Sequence, residues 1–226
     1  MLILGFPAGV FGTNTYVLAE GPGAGCVIID PGQRSLEGLS DLVSRHRLEP
    51  EAVLLTHGHM DHTWDAVPVG ARYDVPVYVH TADRFMVGAP ARGLPDDFPA
   101  HLLEGHPNAD PSGLRAVDGD RTTVRAAGLD IEALHTGGHT PGSIVLHVQG
   151  GESALFTGDA LLAGALGRTD GPGGDERRLR SALNRHCALL PDATTIHPGH
   201  GDPTTLRAER RLHPFLRPEA APTSAG

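Results

Sequence analysis

His57-Gly58-His59-Met60-Asp61-His62 places four side chains able to ligate a metal within six residues, directly after the apolar run Ala52-Val53-Leu54-Leu55. The end of a buried strand holds imidazoles still while the loop that follows wraps them round a cation. Three later segments repeat that setting: Gly137-Gly138-His139-Thr140-Pro141-Gly142, Phe156-Thr157-Gly158-Asp159-Ala160 and His197-Pro198-Gly199-His200-Gly201. The candidates are therefore His57, His59, Asp61, His62, His139, Asp159 and His200. Imidazole nitrogen with carboxylate oxygen and no thiolate suits zinc, iron or manganese. Seven donors exceed the four of a closed structural site and suit two ions, ~3.5–4 Å apart, that share a carboxylate and leave room for water or substrate. One histidine in a turn would mean little; the ensemble carries the reading. The chain has 14 histidines. Of the rest, His46, His101, His106 and His213 read as surface positions and His80, His135, His147 and His186 as structural ones. His135 and His197 stand close enough to candidate ligands to support them.

The elements that must position these groups are strands at Met1–Phe6, Thr15–Ala19, Cys26–Asp30, Ala52–Leu55, Val75–Val79, Leu129–Leu134, Ser143–Val148, Ala154–Thr157 and Ala193–His197. Ser35 is expected to cap a helix whose apolar face is Leu36, Leu39, Leu42 and Val43. Further helices are expected around His62–Ala66, over Asp175–Leu190 with Leu179, Leu183, Cys187 and Leu190 as its stripe, and over Thr204–Leu212. Residues 86–114, punctuated by Pro90, Pro95, Pro99, Pro107 and Pro111, read as an irregular loop, either a lid or a solvated insertion. Strands in both halves, interrupted by helices, suggest two sheets face to face with helices outside. One domain over 1–216 and a disordered tail over 217–226 are expected.

The formal net charge is −9, and the chain has no lysine, a bias of composition rather than of function. An acidic chain without a basic run argues against a nucleic acid partner. No run is long enough to span a membrane. The N-terminus lacks a charged leader and a cleavage motif, so a cytoplasmic protein is expected, with Cys26 and Cys187 as core thiols. Nothing in the sequence sets the oligomeric state.

Taken together, the motifs resemble the metallo-β-lactamase superfamily, and within it the short glyoxalase II-like hydrolases. The resemblance runs from about Thr15 to Leu216. It includes Gly167-Arg168-Thr169-Asp170, Gly173-Gly174-Asp175, and Pro203-Thr204-Thr205 after His200. It implies an α+β fold, a four-layer αβ/βα sandwich with the site at one edge of the paired sheets. One divalent ion would take His57, His59 and His139, the other Asp61, His62 and His200, with Asp159 bridging; zinc is favoured, with iron or manganese open. The implied activity is hydrolysis of a small-molecule thioester by a metal-bridging hydroxide, in which Asp61 and Asp159 are catalytic. Arg168, nine residues after Asp159, stands where longer relatives contact the thiol substrate, and a guanidinium suits a carboxylate there; pairing with Asp170 or Asp175 is its structural alternative. The glutathione-binding helical region of the longer enzymes has no counterpart after His200, so the thiol carrier stays open. The runner-up is a persulfide dioxygenase with one iron on His57, His139 and Asp159. That branch typically lacks the Pro198-Gly199-His200-Gly201 segment present here.

Overall fold

The structure is a computed structural model that describes residues 1–150 and 152–218. The expected tail at 217–226 lies, from residue 219 on, outside the described residues. The first sheet holds β1 (Leu2–Ala8), β2 (Thr13–Ala19), β3 (Gly25–Ile29), β4 (Glu49–Leu54), β5 (Val77–His80) and β6 (Leu114–Val117), side by side in sequence order. β1 to β3 pair antiparallel and β3 to β6 parallel. The parallel part needs crossovers, supplied by α1 (Ser35–His46) and by the pair α2 (Met60–Thr63) and α3 (Ala66–Tyr73). After β5 comes α4 (Arg84–Val87). The second sheet holds β7 (Arg121–Ala126), β8 (Leu129–His135), β9 (Ile144–Gly150) and β10 (Glu152–Gly158). The small hairpin β11 (Leu161–Leu162) and β12 (Ala165–Leu166) and the helix α5 (Glu176–Cys187) follow, before β13 (Thr195–Pro198), β14 (Thr204–Thr205) and α6 (Leu206–Leu212). Its order is β14-β13-β10-β9-β8-β7.

The period of two along each strand divides the apolar residues between layers. Leu18, Val27, Ile29, Leu54, Ile131, Leu146, Val148 and Phe156 face the space between the sheets. Their neighbours Val17, Ile28 and Val53 face the other way and pack with Leu39 of α1 and Val69 of α3. Val145 and Leu155 likewise pack with Leu179 and Leu183 of α5 and Leu206 of α6. Strands apolar on both faces must be covered twice, and the result is helix, sheet, sheet, helix: the expected four-layer α+β sandwich.

Besides elements that the sequence reading did not expect, such as α3, β6 and β7, three of its expectations are corrected. Ser35 is the first residue of α1 rather than its cap; Arg34 precedes it at φ 59° with no capping side chain. Asp65, just ahead of α3, takes that role from a distance, accepting from Leu36 N–H at 2.9 Å. The segment 86–114 is not featureless: 3₁₀ turns at Pro90–Gly93 and Ala100–Leu103 break it up. His106 is buried, not at the surface, with its ring edge-on to Trp64. Cys26 and Cys187 are buried free thiols, both pushed up to about 12 by burial. No helix among the described residues is long and apolar enough to cross a membrane.

Candidate metal centre

The structure brings all seven candidate side chains together at the ends of β4, β8, β10 and β13. β4 delivers His57, which is 1% exposed; His59 immediately precedes α2, and Asp61 and His62 lie in that helix. The loop from β8 to β9 carries His139, and the ends of β10 and β13 carry Asp159 and His200. The first sheet thus supplies one side of the cluster and the second sheet the other.

The ligand atoms form three sets, each within 4.8 Å: His57, His59 and His139; Asp61, His62 and His200; and His57, His62 and Asp159. His139 Nε2 lies 2.9 Å from His59 Nδ1 and 3.3 Å from His57 Nε2. His200 Nε2 and His62 Nε2 lie 3.1 and 3.4 Å from Asp61 Oδ2. Asp159 stands between the triads, with Oδ2 3.7 Å from both His139 Nε2 and His200 Nε2 and Oδ1 3.4 Å from His62 Nε2. Gly199 makes this approach feasible, because a Cβ there would sit 2.3 Å from Asp159 Oδ1 and 2.6 Å from the His62 ring.

Whether these groups fit a cation depends on where their lone pairs point. Thr56 Oγ1 donates to Asp30 Oδ2 at 2.6 Å, so it is left to accept from His57 Nδ1 at 3.1 Å. His139 Nδ1 donates to the Arg168 carbonyl at 2.7 Å, and His62 Nδ1 to Asp30 Oδ2 at 2.9 Å. In the neutral rings, Nε2 of all three then carries a bare lone pair aimed at the centre. Those of His57 and His139 face each other, an arrangement that a cation between them relieves. His62 Nε2 and Asp159 Oδ1 are buried without a hydrogen-bond partner among the described residues. The donor set and its orientation fit metal ions.

The electrostatics agree. Burial, then the neighbouring imidazoles of His62 and His139, push His57 well below the usual histidine range. His59 is lowered to about 4, mainly by burial. Burial would lower His62 too, but Asp61, Asp159 and Asp30 outweigh it and raise His62 well above the ordinary value. Burial works against ionisation of Asp61 and Asp159, yet His62 holds both carboxyls below their usual range. The carboxylates therefore demand positive charge, which a proton on His62 or a cation can supply.

Several groups that hold the cluster have no signature in the sequence. Asp30, besides its bond to His62, accepts from Thr56 N–H at 2.7 Å. Asp83 accepts from Gly58 N–H at 2.9 Å, Gly142 N–H at 2.6 Å and Thr140 Oγ1 at 2.6 Å, tying the His57–His59 turn to the His139 loop. Thr13 Oγ1 donates to Asp61 Oδ2 at 2.9 Å. Asn14 Nδ2 donates to the carbonyls of Pro198 and Gly201, clamping the His200 loop. Of the expected supports, His135 Nε2 donates to the Pro141 carbonyl in the His139 loop, whereas His197 stacks on Phe156. Arg168 points its side chain to solvent, paired with Asp170 at 2.9 Å, and also lines the cavity in front of the triads.

Residues 8–200 match the family described as "Metallo-beta-lactamase superfamily". An uncharacterized protein of Mycobacterium tuberculosis is 44% identical over 220 residues, 96% of this chain and 98% of its own. Hydroxyacylglutathione hydrolase GloC of Haemophilus influenzae is 34% identical, with 84% of this chain and 86% of its own covered. Among solved structures, BLEG-1 B3 metallo-beta-lactamase superposes with a TM-score of 0.83 at 33% identity, covering 95% of this chain and 99% of that one. TTHA1623, solved in a di-iron-bound form, superposes with a TM-score of 0.75 at 33% identity, covering 95% and 100%. With that likeness along nearly its whole length, and a His/Asp cluster of metal-binding geometry at the strand ends, the chain belongs to the metallo-beta-lactamase superfamily.

Proposed function

We propose that the protein is a metal-dependent hydrolase holding two divalent cations, and that it cleaves a small-molecule thioester to an acid and a thiol. One cation would be held by His57, His59 and His139 and the other by Asp61, His62 and His200, with Asp159 available to both. The observation that carries this reading is the convergence of two triads on Asp159 with their lone pairs turned inward. The name of the Haemophilus relative supports a thioester, and the di-iron form of TTHA1623 supports two ions in such a centre. The donors suit zinc, iron or manganese.

Cations bound there would supply a Lewis acid for the acyl carbonyl and an acidified water as nucleophile. The chain's own residues do the rest. Asp61 and Asp159 orient the attacking water and hold its proton. Asp30, Thr56 and the Arg168 carbonyl fix the imidazoles, so that little reorganisation accompanies attack. The Arg168 guanidinium, at the rim, receives an anionic part of the substrate. A one-iron oxygenase on His57, His139 and Asp159 would give no role to Asp61, His62 and His200.

Metal analysis of protein purified without added metal or chelator tests this first. Two equivalents per chain, with release of thiol from an acyl-thioester panel, are expected. One equivalent of iron with oxygen uptake on a thiol persulfide would overturn the reading. A chromogenic cephalosporin belongs in the same panel, since turnover of that compound alone would move the substrate to β-lactams. Arg168→Ala is expected to raise KM more than it lowers kcat; an unchanged KM removes the substrate role of that side chain.

A further inference from the structure

We infer that the cavity in front of the triads is a subsite for an apolar acyl chain of medium length, with the thiol carrier leaving past Arg168. The inference rests on the thioester reading for the name of the occupant, and on the walls for its chemistry. The cavity measures about 230 Å³. His59, Asp61, His139 and Asp159 form its floor, and Phe11, Met60, Leu94, Pro95, Phe98 and Pro172 its walls. Apart from the floor, Arg168 alone among the lining residues brings a polar side chain.

Phe11, Leu94 and Phe98 belong to none of the three apolar cores, yet each is only half-exposed. Their free faces border the cavity. They are also held in place. Phe11 packs on Trp64 with ring centroids 5.8 Å apart, and Trp64 on His106 at 5.2 Å. Gly93, at the turn that carries Leu94, is buried against Met86 and the edge of His59 with no room for a side chain. Residues 93–98 of the segment 86–114 are therefore a wall of the site, while much of the rest of the segment is exposed.

A hydroxyl or carboxylate lodged among these side chains would lose its hydration without gaining a partner. A 2-hydroxyacyl group or a charged peptide-like thiol does not match the walls; an alkyl or aryl acyl group does. At roughly 30 Å³ for each water-sized group, the space holds about eight non-hydrogen atoms. The polar end has a different route, because Arg168 also borders a second, shallow cleft with Arg180 and His213, in which Asp170 and Glu176 pair with the two arginines.

The test uses metal-loaded protein and straight-chain carboxylates from acetate through butanoate and hexanoate to octanoate, read by the emission of Trp64, the sole tryptophan. Every member shares the carboxylate, so differences report the chain. Dissociation constants are expected to fall about threefold per added methylene as far as hexanoate, with L-lactate no tighter than acetate. A flat series, or lactate binding more tightly than butanoate, overturns the inference. Phe98→Ala and Leu94→Ala should each flatten the series; a slope retained in both variants overturns it as well. The matching acyl thioesters of one thiol are then assayed for turnover. If kcat/KM follows the same slope, the acyl group occupies the cavity. If thioesters are cleaved without regard to chain length, the acyl placement is wrong. If none is cleaved while the carboxylate slope persists, the thioester reading fails and the apolar subsite stands.

Discussion

In the first triad His57, His59 and His139 bring three imidazoles and no carboxylate of their own, whereas the second sets His62 and His200 beside Asp61. The anchors differ as well. His57 and His139 are held by a hydroxyl and a main-chain carbonyl. In the second triad, Asp30 holds His62, and Asn14 holds the loop of His200 from the opposite sheet. His57 is 1% exposed, while the His200 side chain is 30% exposed. A neutral, enclosed set of nitrogens keeps an ion by fit; a set with its own carboxylate and an open flank draws an ion by charge and exchanges it more readily. The second position is expected to empty first under chelation.

The sharpest way to break this contrast is to remove what the two halves share. Asp159→Ala is expected to lower kcat by about a thousandfold and to cost at least one equivalent of metal, since both ions lose a ligand. Two equivalents retained at full affinity would show that Asp159 does not bridge. His200→Ala should leave one equivalent on the first triad and lower kcat by about a hundredfold; equal loss from both positions in metal analysis would mean that the triads are not separable. Asp30→Asn should weaken binding about 10–100-fold at both positions, because Asp30 holds His62 directly and His57 through Thr56. Isothermal titration that finds a change at the second position alone would cut the path through Thr56.

Asn14→Ala removes two hydrogen bonds to the His200 loop and is expected to cost about 1–3 kcal/mol, read as a fall of a few degrees in Tm. The second ion should be weakened and the first left alone. The smallest effect belongs to a residue outside both triads. Burial lowers His106 to about 4. The unfolded chain then takes up this proton near pH 6.5 while the folded chain refuses it until about 4, so its contribution is complete above pH 6.5 and drains away as pH falls towards 4. His106→Phe, which keeps an aromatic ring beside Trp64, should make the denaturation midpoint of metal-free protein less steep across that window. An unaltered slope would place the acid sensitivity elsewhere.

The seven clustered side chains were legible because they fall in four short segments that follow strands, five of them beside glycine, a pattern confined to a few consecutive residues. The layers were legible because Val17, Leu18, Val27 and Ile28 alternate between two apolar faces. What escaped acts over long separations. Asp30 meets His62 only once β3 and β4 lie side by side, and Asp83 meets Gly142 and Asn14 meets Pro198 only once both sheets have formed. No local spacing marks an aspartate that will accept three bonds from two loops. No helix was expected at α3, which carries Pro68 and Gly70; proline is tolerated there because it lies in the first turn. β7 was missed because Val124 is its one buried side chain and its charged neighbours face water. The helix cap was misplaced for a related reason: Asp65 is distant in sequence from the helix it caps.

The bond from His139 Nδ1 to the main-chain oxygen of Arg168 divides one residue between two tasks. Its carbonyl anchors an imidazole, and its side chain borders the cavity in front of the triads. Every amino acid has that carbonyl, so a descendant of this protein can exchange the side chain at this position and leave the imidazole where it is. Mutation here is free to reshape the rim of the cavity while the cluster behind it goes on being inherited unchanged.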